Sequence, residues 1–519
     1  MAAVTTEEMT ARPERAPSAS VVECLRRAMT EAPDRTAIVC GDRTLTYSEL
    51  GRSAVGLARR LSGSVVAGRP IAVIMPNGPE LSAAVFAAWL AGAQVALMNP
   101  GFTDRELRLL LERSGASAVL TAPGVADQVS RAARSLGLGL MVVGLGELAL
   151  ESWYGDETLL IADDQLPPPD RLATMMFTGG TTGVPKGVDH THRTLMLTVL
   201  GMEDCWPTRP GAEVWLNVAP SFHIWGLLMG VLNPVFGRAT VVICQGFKPD
   251  VVATAIRDHR VTVFGGGPAE IYAGLLSSEH TNRENLSTVR VCPGGGSRFS
   301  AALHDRWLRR TGVQIREAYG MTELAPITCN RSDTPVRPGS VGRSAAAVEI
   351  RVTDPDAPDR FRNAREVGEL QVRAPHMTIG YHDPAHNDGA FTGGWLNTGD
   401  IGYLDEDGFL FIVDRKKDML IVGGFNVYPR EIDETLCDFP GILDAATVGV
   451  ADERRGERPI SFVVVDSGVV IDRTELADFC AANLAHYKQP REIRMLGQLP
   501  KTAANKIDRV ALRRMASEM

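Results

Sequence analysis

The stretch FTGGTTGVPKG, residues 177–187, decides how the rest of the chain is interpreted. Four glycines and three threonines in eleven residues favour neither a stable helix nor an ordinary strand. Glycines allow successive backbone N–H groups to point into one concavity that binds anions. Thr178, Thr181 and Thr182 add hydroxyl donors, and Lys186 adds a positive charge. The stretch therefore predicts a loop that holds a polyphosphate.

The spacing of this loop differs from that of the Walker A phosphate loop. In the Walker A pattern the lysine directly follows a glycine and precedes a serine or threonine. Here Pro185 precedes Lys186, and Gly187 follows it. A plain glycine-rich surface turn is the alternative interpretation, so the choice depends on the rest of the chain.

Short β-branched runs alternate with helical stretches on both sides of the loop. Such runs cover residues 70–76, 116–122, 239–245 and 261–266. This alternation favours parallel α/β sheets, whose ligands lie at the carboxyl ends of the strands. Later in the chain, short alternating strands between turns predict an antiparallel, barrel-like piece. A last, small α+β pattern begins near Asp414.

The predicted fold class is α/β, with a large N-terminal domain of stacked α/β sheets plus a β-barrel-like piece, and a small α+β C-terminal domain. A chain of 519 residues exceeds the size of one hydrophobic core. We predict a disordered tail over residues 1–18, an N-terminal domain over residues 19–413 and a C-terminal domain over residues 414–519.

Composition bears on whether the protein binds nucleic acid or a membrane and on the compartment in which it works. A net charge of −8 argues against nucleic acid as a partner, because phosphate backbones are bound by basic surfaces. The eight cysteines show no zinc-like spacing, so we expect free thiols in a reducing cytoplasm. Residues 81–98 carry no charge but are marginal in length for a membrane span; they predict a buried helix followed by a buried strand. The N-terminus does not resemble a signal peptide.

Four further stretches carry groups that suit a nucleotide. Tyr319 could stack on a base, Glu323 could hold Mg²⁺, and Asp400 could bind ribose hydroxyls. Each stretch alone has an ordinary alternative, because packed tyrosines, Gly-Asp turns and solvated charge runs are common. The stretches are EAYGMTELAP at 317–326, GGWLNTGD at 393–400, DRKKDMLIVGGFNVYPREI at 414–432 and LPKTAANKIDR at 499–509.

In this order and at these separations, the five stretches resemble the motifs of the adenylate-forming (ANL) superfamily of acyl-CoA synthetases and other AMP-dependent ligases. The resemblance covers nearly the whole chain. It implies an enzyme that joins a small-molecule carboxylic acid to coenzyme A with ATP and Mg²⁺. The acid first displaces pyrophosphate from ATP, and a thiol then displaces AMP. The resemblance also implies that the small C-terminal domain is mobile and rotates about a hinge at Asp414 between the two half-reactions.

The resemblance assigns roles at the nucleotide to individual residues. Thr322 would meet the α-phosphate, and Glu323 would hold Mg²⁺. Lys506 would bridge the carboxylate and the α-phosphate during adenylation, and Tyr319 would stack on adenine. The ATP-binding residues that it implies are Thr178, Gly179, Gly180, Thr181, Thr182, Gly183, Lys186, Gly294, Gly295, Gly296, Glu317, Ala318, Tyr319, Gly320, Met321, Asp400, Ile412 and Arg415.

The resemblance also implies a pocket for the acid and a path for the thiol. Small residues at Gly423 and Gly424 would let a pantetheine arm pass close to the backbone, with Lys417 in the same tunnel. His223 would act beside the carboxylate or the thiol, and a core histidine satisfied by backbone is the alternative. The substrate-pocket residues implied are His223, Trp225, Gly226, Gly267, Gly320 and Met321.

Two positions depart from the motifs. Asn505 stands where a glycine usually precedes the terminal lysine, and asparagine tolerates left-handed φ better than most residues. Asp189 stands where a small or apolar residue is usual. A carboxylate near the phosphate loop requires solvent or a base, and His190 and His192 are the candidate bases.

Small residues in FGGGPAE, 264–270, would leave room in the acyl pocket. The stretches GGFNVYP, 423–429, and NPGFT, 99–103, resemble fatty-acyl more than aryl members of the superfamily, which implies a medium or long fatty acid. An aryl-CoA ligase is the alternative, as is an adenylating enzyme whose acceptor is a carrier-protein thiol, an amine or a small inorganic nucleophile. A nucleotide-binding protein without turnover is a different class, which Lys506 and Glu323 argue against. We expect a cytoplasmic enzyme, and a homodimer is an expectation taken from the family.

Overall fold

The computed structural model describes residues 20–62, 68–178, 185–297, 299–355, 357–452, 454–466, 468–501 and 507–518. Internal packing divides the chain into two units. The first unit comprises Met1–Glu349 and Arg373–Gly389, and the second comprises Ile350–Val372 and Ala390–Met519. The predicted N-terminal tail lies outside the described residues, and the predicted domain boundary at Asp414 stays a prediction.

Several helices of the first unit begin with a side-chain cap or with a proline in the first turn. The hydroxyl of Thr46 accepts from the N–H of Glu49, and that of Thr103 accepts from the N–H of Glu106, so both helices begin with a capping box. The described helices are α1 (Val22–Glu31), α2 (Tyr47–Leu61), α3 (Pro79–Leu90), α4 (Asp104–Ser114), α5 (Ala126–Ser135), α6 (His192–Cys205), α7 (Ile224–Leu227), α8 (Asn233–Phe236), α9 (Pro249–Asp258), α10 (Ala269–Leu275) and α11 (Ala301–Thr311).

The described strands of the first unit form three sheets. Their bounds are β1 (Thr36–Cys40), β2 (Arg43–Thr46), β3 (Pro70–Ile74), β4 (Gln94–Leu97), β5 (Ala118–Thr121), β6 (Gly139–Val142), β7 (Leu172–Thr178), β8 (Lys186–Thr191), β9 (Val214–Asn217), β10 (Thr240–Ile243), β11 (Val263–Gly265), β12 (Cys292–Gly295), β13 (Ile315–Met321), β14 (Leu324–Cys329), β15 (Arg343–Ser344) and β19 (Gly380–Tyr381). The three strand orders are β11–β9–β10–β1–β2, β19–β8–β7–β4–β3–β5–β6 and β12–β13–β14–β15.

Parallel pairing dominates the first two sheets. Strands β3 to β7 pair in parallel, and so do β1, β9, β10 and β11. Strand β8 then turns back antiparallel to β7, and β19 pairs antiparallel with β8. The prediction of parallel α/β sheets is confirmed, and the quoted glycine-rich stretch lies at the carboxyl end of β7, where such sheets bind ligands.

The second unit contains two further sheets over its described residues. Its strands are β16 (Glu349–Asp354), β17 (Ala357–Phe361), β18 (Gly368–Arg373), β20 (Phe391–Thr392), β21 (Trp395–Leu404), β22 (Leu410–Arg415), β23 (Leu420–Val422), β24 (Phe425–Val427), β25 (Ile442–Asp452), β26 (Gly456–Val465) and β27 (Glu492–Leu496), and its helices are α12 (Pro429–Cys437), α13 (Arg473–Asn483) and α14 (Arg509–Ser517). The sheet of β16, β17, β18, β20, β21 and β22 is the predicted antiparallel, barrel-like piece.

Helix α3 explains the long uncharged stretch of the sequence. Almost all of its residues are buried, and after a short turn the chain enters β4, whose four residues are also buried. The prediction of a buried helix followed by a buried strand is confirmed. Within the described ranges, no helix combines the length and the apolar character that a membrane crossing requires.

An aromatic cluster supports two glycine-rich strands of the first unit. The ring of Tyr272 lies edge-on to Phe264, Phe299 and Trp307, with centroids 5.0–5.5 Å apart. Its buried hydroxyl donates to the carbonyl of Pro293 in β12, at 2.5 Å. The cluster therefore fixes β12 beside β11.

The expectation that all cysteines are free is wrong for one pair. Cys205, at the end of α6, forms a disulfide with Cys329, at the end of β14, across 124 residues of sequence. Their Cα atoms are 6.2 Å apart, which is ordinary for a disulfide. The spacing along the chain gave no sign of this pairing, because it arises from the packing of a helix against a distant strand. The six other cysteines form no disulfide.

Reduction of the Cys205–Cys329 bond is expected to lower the free energy of unfolding by about 2–4 kcal/mol, because the bond restricts a long loop in the unfolded chain. Urea unfolding with and without reductant, together with mass analysis of thiol labelling after unfolding, measures this change. A Cys205→Ala, Cys329→Ala variant should unfold at one urea concentration in both conditions. Equal stability of the oxidised and reduced wild-type protein would contradict the prediction.

Candidate active site

The two ends of the predicted phosphate loop lie side by side. Thr178 ends β7 and Lys186 begins β8, and the two residues are directly paired across the antiparallel strands. The Thr178 hydroxyl lies 3.5 Å from the carbonyl oxygen of Lys186. Gly179, Gly180, Thr181, Thr182 and Gly183 lie outside the described residues. The structure therefore shows a narrow hairpin whose connection is the predicted phosphate loop.

Side chains on one face of β8 meet a second predicted motif. Lys186 and His190 share this face, because alternate residues of a strand point the same way. His190 is buried, and its Nε2 donates to the carbonyl of Thr322 at 2.8 Å, with its Nδ1 3.3 Å from the Thr194 hydroxyl. Burial lowers the pKa of His190, so the imidazole is neutral and structural.

Thr322 and Glu323 occupy the two-residue turn between β13 and β14. Met321 pairs with Leu324 across this turn. The buried Glu323 carboxylate accepts a 2.6 Å hydrogen bond from the hydroxyl of Tyr381, in β19. Burial and then the charge of Glu323 raise the pKa of Tyr381, so its hydroxyl remains a donor.

The residues at this turn fit Mg²⁺. The cation takes oxygen ligands, keeps several waters and binds through one or two carboxylates together with substrate phosphates. Glu323 supplies one oriented carboxylate, and Lys186 approaches the same tyrosine ring, with Nζ 5.1 Å from the centroid of Tyr381. One aromatic side chain thus contacts both a carboxylate that suits a metal ion and an ammonium that suits phosphate oxygens.

Asp189 points away from this face, which explains how it is accommodated. Its carboxylate accepts from Gln94 Nε2 at 2.7 Å and lies 3.1 Å from His382 Nδ1. This pairing raises the pKa of His382. The expectation that His190 or His192 serves as its base is wrong. His190 lies on the opposite face of β8, and His192, the first residue of α6, has its Nδ1 3.1 Å from the Ser20 hydroxyl.

The predicted adenine site lies where β12 and β13 pair in parallel. Gly294 pairs with Glu317, and Gly295 pairs with Ala318. A Cβ at Gly295 would lie 2.8 Å from the carbonyl oxygen of Ala318, so only glycine allows this approach. Tyr319 follows on β13 and is half-buried. The structure brings these predicted residues together with Gly296, Gly320 and Met321 at the ends of the two strands.

Glu317 has a structural partner. Its carboxylate lies 2.8 Å from His304 Nε2, on α11. This contact holds the helix that follows β12 against β13. The side chain of Glu317 is buried, so its predicted contribution to ATP binding would come from the backbone of β13 and not from its carboxylate.

Trp225 forms a wall across the predicted substrate pocket. Its Nε1 lies 3.4 Å from the carbonyl oxygen of Gly265, and a Cβ added at Gly267 or Gly295 would touch its indole at 3.2–3.4 Å. The ring of Trp206 supports it edge-on from behind, at 6.3 Å between centroids. Trp225 is partly exposed, so part of its apolar indole stays accessible.

The first turn of α7 and the residue before it carry two other predicted pocket residues. Gly226 is required there, because a Cβ would collide with the carbonyl of Pro220. His223 is half-buried beside the ring of Phe222, with centroids 4.7 Å apart. Its role at the carboxylate or thiol stays a prediction.

The second unit holds Asp400, predicted at the ribose, and two other predicted ATP-binding residues on adjacent strands. Asp400 in β21 pairs with Arg415 in β22, and Arg415 Nε lies 3.4 Å from Asp400 Oδ1. Ile412 pairs with Gly402 on the same two strands. A carboxylate and a guanidinium side by side suit the hydroxyls of a ribose, which both accept and donate.

Asp414 is anchored at the predicted hinge. Its carboxylate accepts from the N–H groups of Arg415 at 2.7 Å and Arg430 at 2.9 Å. The second bond ties the end of β22 to the first turn of α12, where a negative charge is favourable. Burial raises the pKa of Asp414 despite these donors.

Gly423 and Gly424 form the two-residue turn between β23 and β24. Their φ angles are 61° and 83°, and a Cβ at either would meet nothing within 4 Å. Backbone conformation favours glycine here, and the space beside the turn is open. Lys417 precedes this hairpin in a short helical turn, and burial lowers its pKa. Lys506 and Asn505 lie outside the described residues.

Sequence reasoning missed Tyr381 and Thr378. Thr378 donates from its N–H to the carbonyl of Glu323 at 2.7 Å and from its hydroxyl to that of Asp189 at 2.6 Å. Both residues belong to a segment that contacts the phosphate-loop strand and the Glu323 turn. Nothing in the local sequence indicates these contacts, because they join positions more than fifty residues apart.

Comparison with known protein families gives two matches. The family described as AMP-binding enzyme matches residues 25–382, and the one described as AMP-binding enzyme C-terminal domain matches residues 431–506. Together they include the hairpin of Thr178 and Lys186 and the turn of Glu323. The first match alone spans more than half of the chain.

Individual relatives extend over nearly the full length. A long-chain-fatty-acid–CoA ligase of Bacillus subtilis (strain 168) is 30% identical, with 95% of this chain and 93% of the ligase covered. A (methyl-dioxo-octahydro-indenyl)propanoyl:CoA ligase of Rhodococcus jostii (strain RHA1) is 32% identical, with 97% and 99% covered. The structure of the O-succinylbenzoate coenzyme A synthetase MenE of Bacillus subtilis, in complex with ATP and magnesium ion, superposes with a TM-score of 0.80 at 28% identity, covering 95% and 98%.

Proposed function

The chain belongs to the AMP-binding enzyme family, and we propose that it activates a medium- or long-chain fatty acid and transfers it to coenzyme A. The chain is an AMP-forming acid–CoA ligase that uses ATP, Mg²⁺ and coenzyme A. A carboxylate oxygen is a poor leaving group. Conversion of the carboxylate into an acyl-adenylate supplies AMP as a good leaving group, so that a thiol can attack the acyl carbon. What we propose beyond this activity is that the acid is a fatty acid.

The chemistry proceeds in two displacements. In the first, a carboxylate oxygen of the acid bonds to the α-phosphorus, and the bond to the β-phosphate breaks to release pyrophosphate. In the second, the sulfur of coenzyme A bonds to the acyl carbon, the thiol proton is lost, and AMP leaves with the oxygen. Negative charge builds on pyrophosphate in the first step, so donors placed around it stabilise that transition state.

We assign the first displacement to the face of β8 and the turn that meets it. Lys186 would balance charge on the β- and γ-phosphates, and Thr322 would donate to the α-phosphate. Glu323 would hold Mg²⁺, which neutralises phosphate charge when it is bound. The observation that carries the proposal is the convergence of Lys186 and Glu323 on the side chain of Tyr381. It joins two motifs that are far apart in sequence.

The acyl group is assigned to the pocket wall formed by Trp225. The partly exposed indole, which packs against Gly267 and Gly295, presents an apolar face. Burial of methylene groups against such a surface is favourable at about 0.8 kcal/mol each. The long-chain-fatty-acid–CoA ligase relative supports an alkyl chain as the occupant.

A ring-bearing acid is the second candidate. The Rhodococcus jostii relative is named for a fused-ring propanoyl substrate and the MenE structure for O-succinylbenzoate. An indole wall suits a ring as well as an alkyl chain, because flat apolar groups stack on its face. Acceptors other than coenzyme A, namely a carrier-protein thiol, an amine or a small inorganic nucleophile, stay alternatives, and a homodimer and a cytoplasmic location stay predictions.

Pyrophosphate exchange with a panel of acids tests the function. Octanoate, palmitate, benzoate, 2-succinylbenzoate and a fused-ring propanoate are each supplied with ATP and Mg²⁺, with and without coenzyme A. Exchange with the alkyl acids, and a thioester of matching mass when coenzyme A is present, is the expected result. Exchange confined to the ring acids would contradict the proposed fatty acid and support a ring-bearing acid as the substrate. Exchange without thioester would exclude coenzyme A as the acceptor.

Replacement of Trp225 by alanine is expected to change acid selectivity. Removal of the indole opens the wall, and kcat/KM for the longest or bulkiest acid should rise about tenfold or more relative to the best wild-type substrate. Trp153, which lies against Gly56 of α2, provides the matched Trp153→Ala control, with unchanged selectivity. An unaltered selectivity profile in Trp225→Ala would contradict the assignment of the indole to the acyl pocket.

A further inference from the structure

Tyr381 contacts two proposed ATP-site residues with different parts of one side chain. Its hydroxyl donates to Glu323 Oε1 at 2.6 Å. The ring face of Tyr381 lies 5.1 Å from Lys186 Nζ, within the range of a cation–π contact. A rigid phenol therefore spans from the carboxylate to the ammonium.

The backbone around Tyr381 is fixed on both sides. Strand β19 pairs with β8, with Tyr381 opposite Val188. On this register Tyr381 lies on the face of β8 that carries Lys186, one step along the strand. The N–H of Tyr381 donates to Asn387 Oδ1 at 2.9 Å, which holds the turn that follows. The backbone of Tyr381 is thus held by the strand pairing and by Asn387, independently of the two groups that its side chain contacts.

The same short segment also holds the backbone of Glu323. The N–H of Thr378 donates to the carbonyl of Glu323, and the Thr378 hydroxyl donates to the carbonyl of Asp189 in β8. His376 Nε2 donates to the carbonyl of Pro326 at 3.1 Å, just beyond the same turn. Residues 376–381 therefore link the Glu323 turn to the phosphate-loop strand through both backbone and side chain.

We propose that Tyr381 is a positioning residue that orients Glu323 toward Mg²⁺ and Lys186 toward the phosphates, and so sets the affinity for the magnesium–ATP complex. This inference rests on the proposed roles of Glu323 and Lys186. Hydrogen bonds to a ligating carboxylate restrict its rotamers and are worth about tenfold or more in metal affinity. The ring adds a weaker orienting contact for the lysine.

Two substitutions separate the hydroxyl from the ring. Tyr381→Phe keeps the ring over Lys186 and removes the donor to Glu323, whereas Tyr381→Leu removes both. Calorimetric binding of ATP with and without Mg²⁺, in the absence of any acid, measures the two contributions without turnover. Tyr47→Phe is the matched control, because its buried hydroxyl donates to the carbonyl of Ala239 at 2.6 Å and contacts neither Lys186 nor Glu323.

For Tyr381→Phe we expect about tenfold weaker binding of the magnesium–ATP complex, with binding of metal-free ATP within twofold of wild type. The near-normal metal-free binding also shows that the variant is folded. Tyr381→Leu should weaken metal-free binding as well, by about threefold. Tyr47→Phe should bind both forms as the wild type does.

Glu323→Gln distinguishes failure of this inference from failure of the proposed site. If Glu323→Gln weakens magnesium–ATP binding and Tyr381→Phe does not, the positioning role of Tyr381 is overturned and the proposed function stands. If Glu323→Gln leaves the effect of Mg²⁺ on ATP binding unchanged, the assignment of Glu323 and the inference built on it both fail. In the Glu323→Gln background, Tyr381→Phe should have less than a twofold further effect, and an undiminished tenfold effect would overturn the orientation of Glu323 by Tyr381.

Discussion

Replacing Lys506 with alanine is expected to lower the rate of acyl-adenylate formation by about 100- to 1,000-fold, the loss that follows removal of one electrostatic donor at a transition state. The resemblance places Lys506 between the attacking carboxylate and the α-phosphate. Its contacts are made at the barrier of the first displacement, so KM for the acid and for ATP should change little. ATP–pyrophosphate exchange measures this step in isolation.

The second half-reaction supplies the internal control for Lys506→Ala. Thioester formation from a supplied acyl-adenylate and coenzyme A should stay within a few-fold of the wild-type rate. Lys501, an exposed lysine in the same terminal stretch, provides the matched variant Lys501→Ala, which should leave both half-reactions intact. An equal loss of both half-reactions in folded Lys506→Ala protein would contradict the assignment of this lysine to adenylation alone.

The pattern of residues along the sequence was sufficient to predict those features of the site that lie within a single strand or turn. Glycine density and hydroxyls at 177–187 indicated a loop, and the structure pairs Thr178 with Lys186 at its two ends. The parallel sheets followed from the alternation of β-branched runs with helices. In each case neighbours in sequence determine the geometry, so no knowledge of distant contacts was needed.

Contacts between distant segments account for what could not be predicted. The Cys205–Cys329 bond requires the end of α6 to pack against the end of β14. Asp189 finds Gln94 and His382 because strand alternation turns it from its sequence neighbours His190 and His192. Tyr381 reaches Glu323 only after β19 joins the edge of β8. Such pairings depend on register and sheet order, which periodicity along the chain does not specify.

Replacing Gly424 with leucine is expected to lower thioester formation from a supplied acyl-adenylate by about 100-fold, the cost of a small misplacement of reacting groups, while pyrophosphate exchange stays within twofold. The side chain would project into the open space beside the β23–β24 turn, which the resemblance assigns to the pantetheine arm. Gly408, in the β21–β22 turn, has a similar φ of 78° and equally open surroundings, so Gly408→Leu carries the same backbone cost of about 1–2 kcal/mol. Normal thioester formation in Gly408→Leu therefore attributes the loss in Gly424→Leu to obstruction and not to strain. Equal rates in the two leucine variants would show that the thiol does not pass the 423–424 turn.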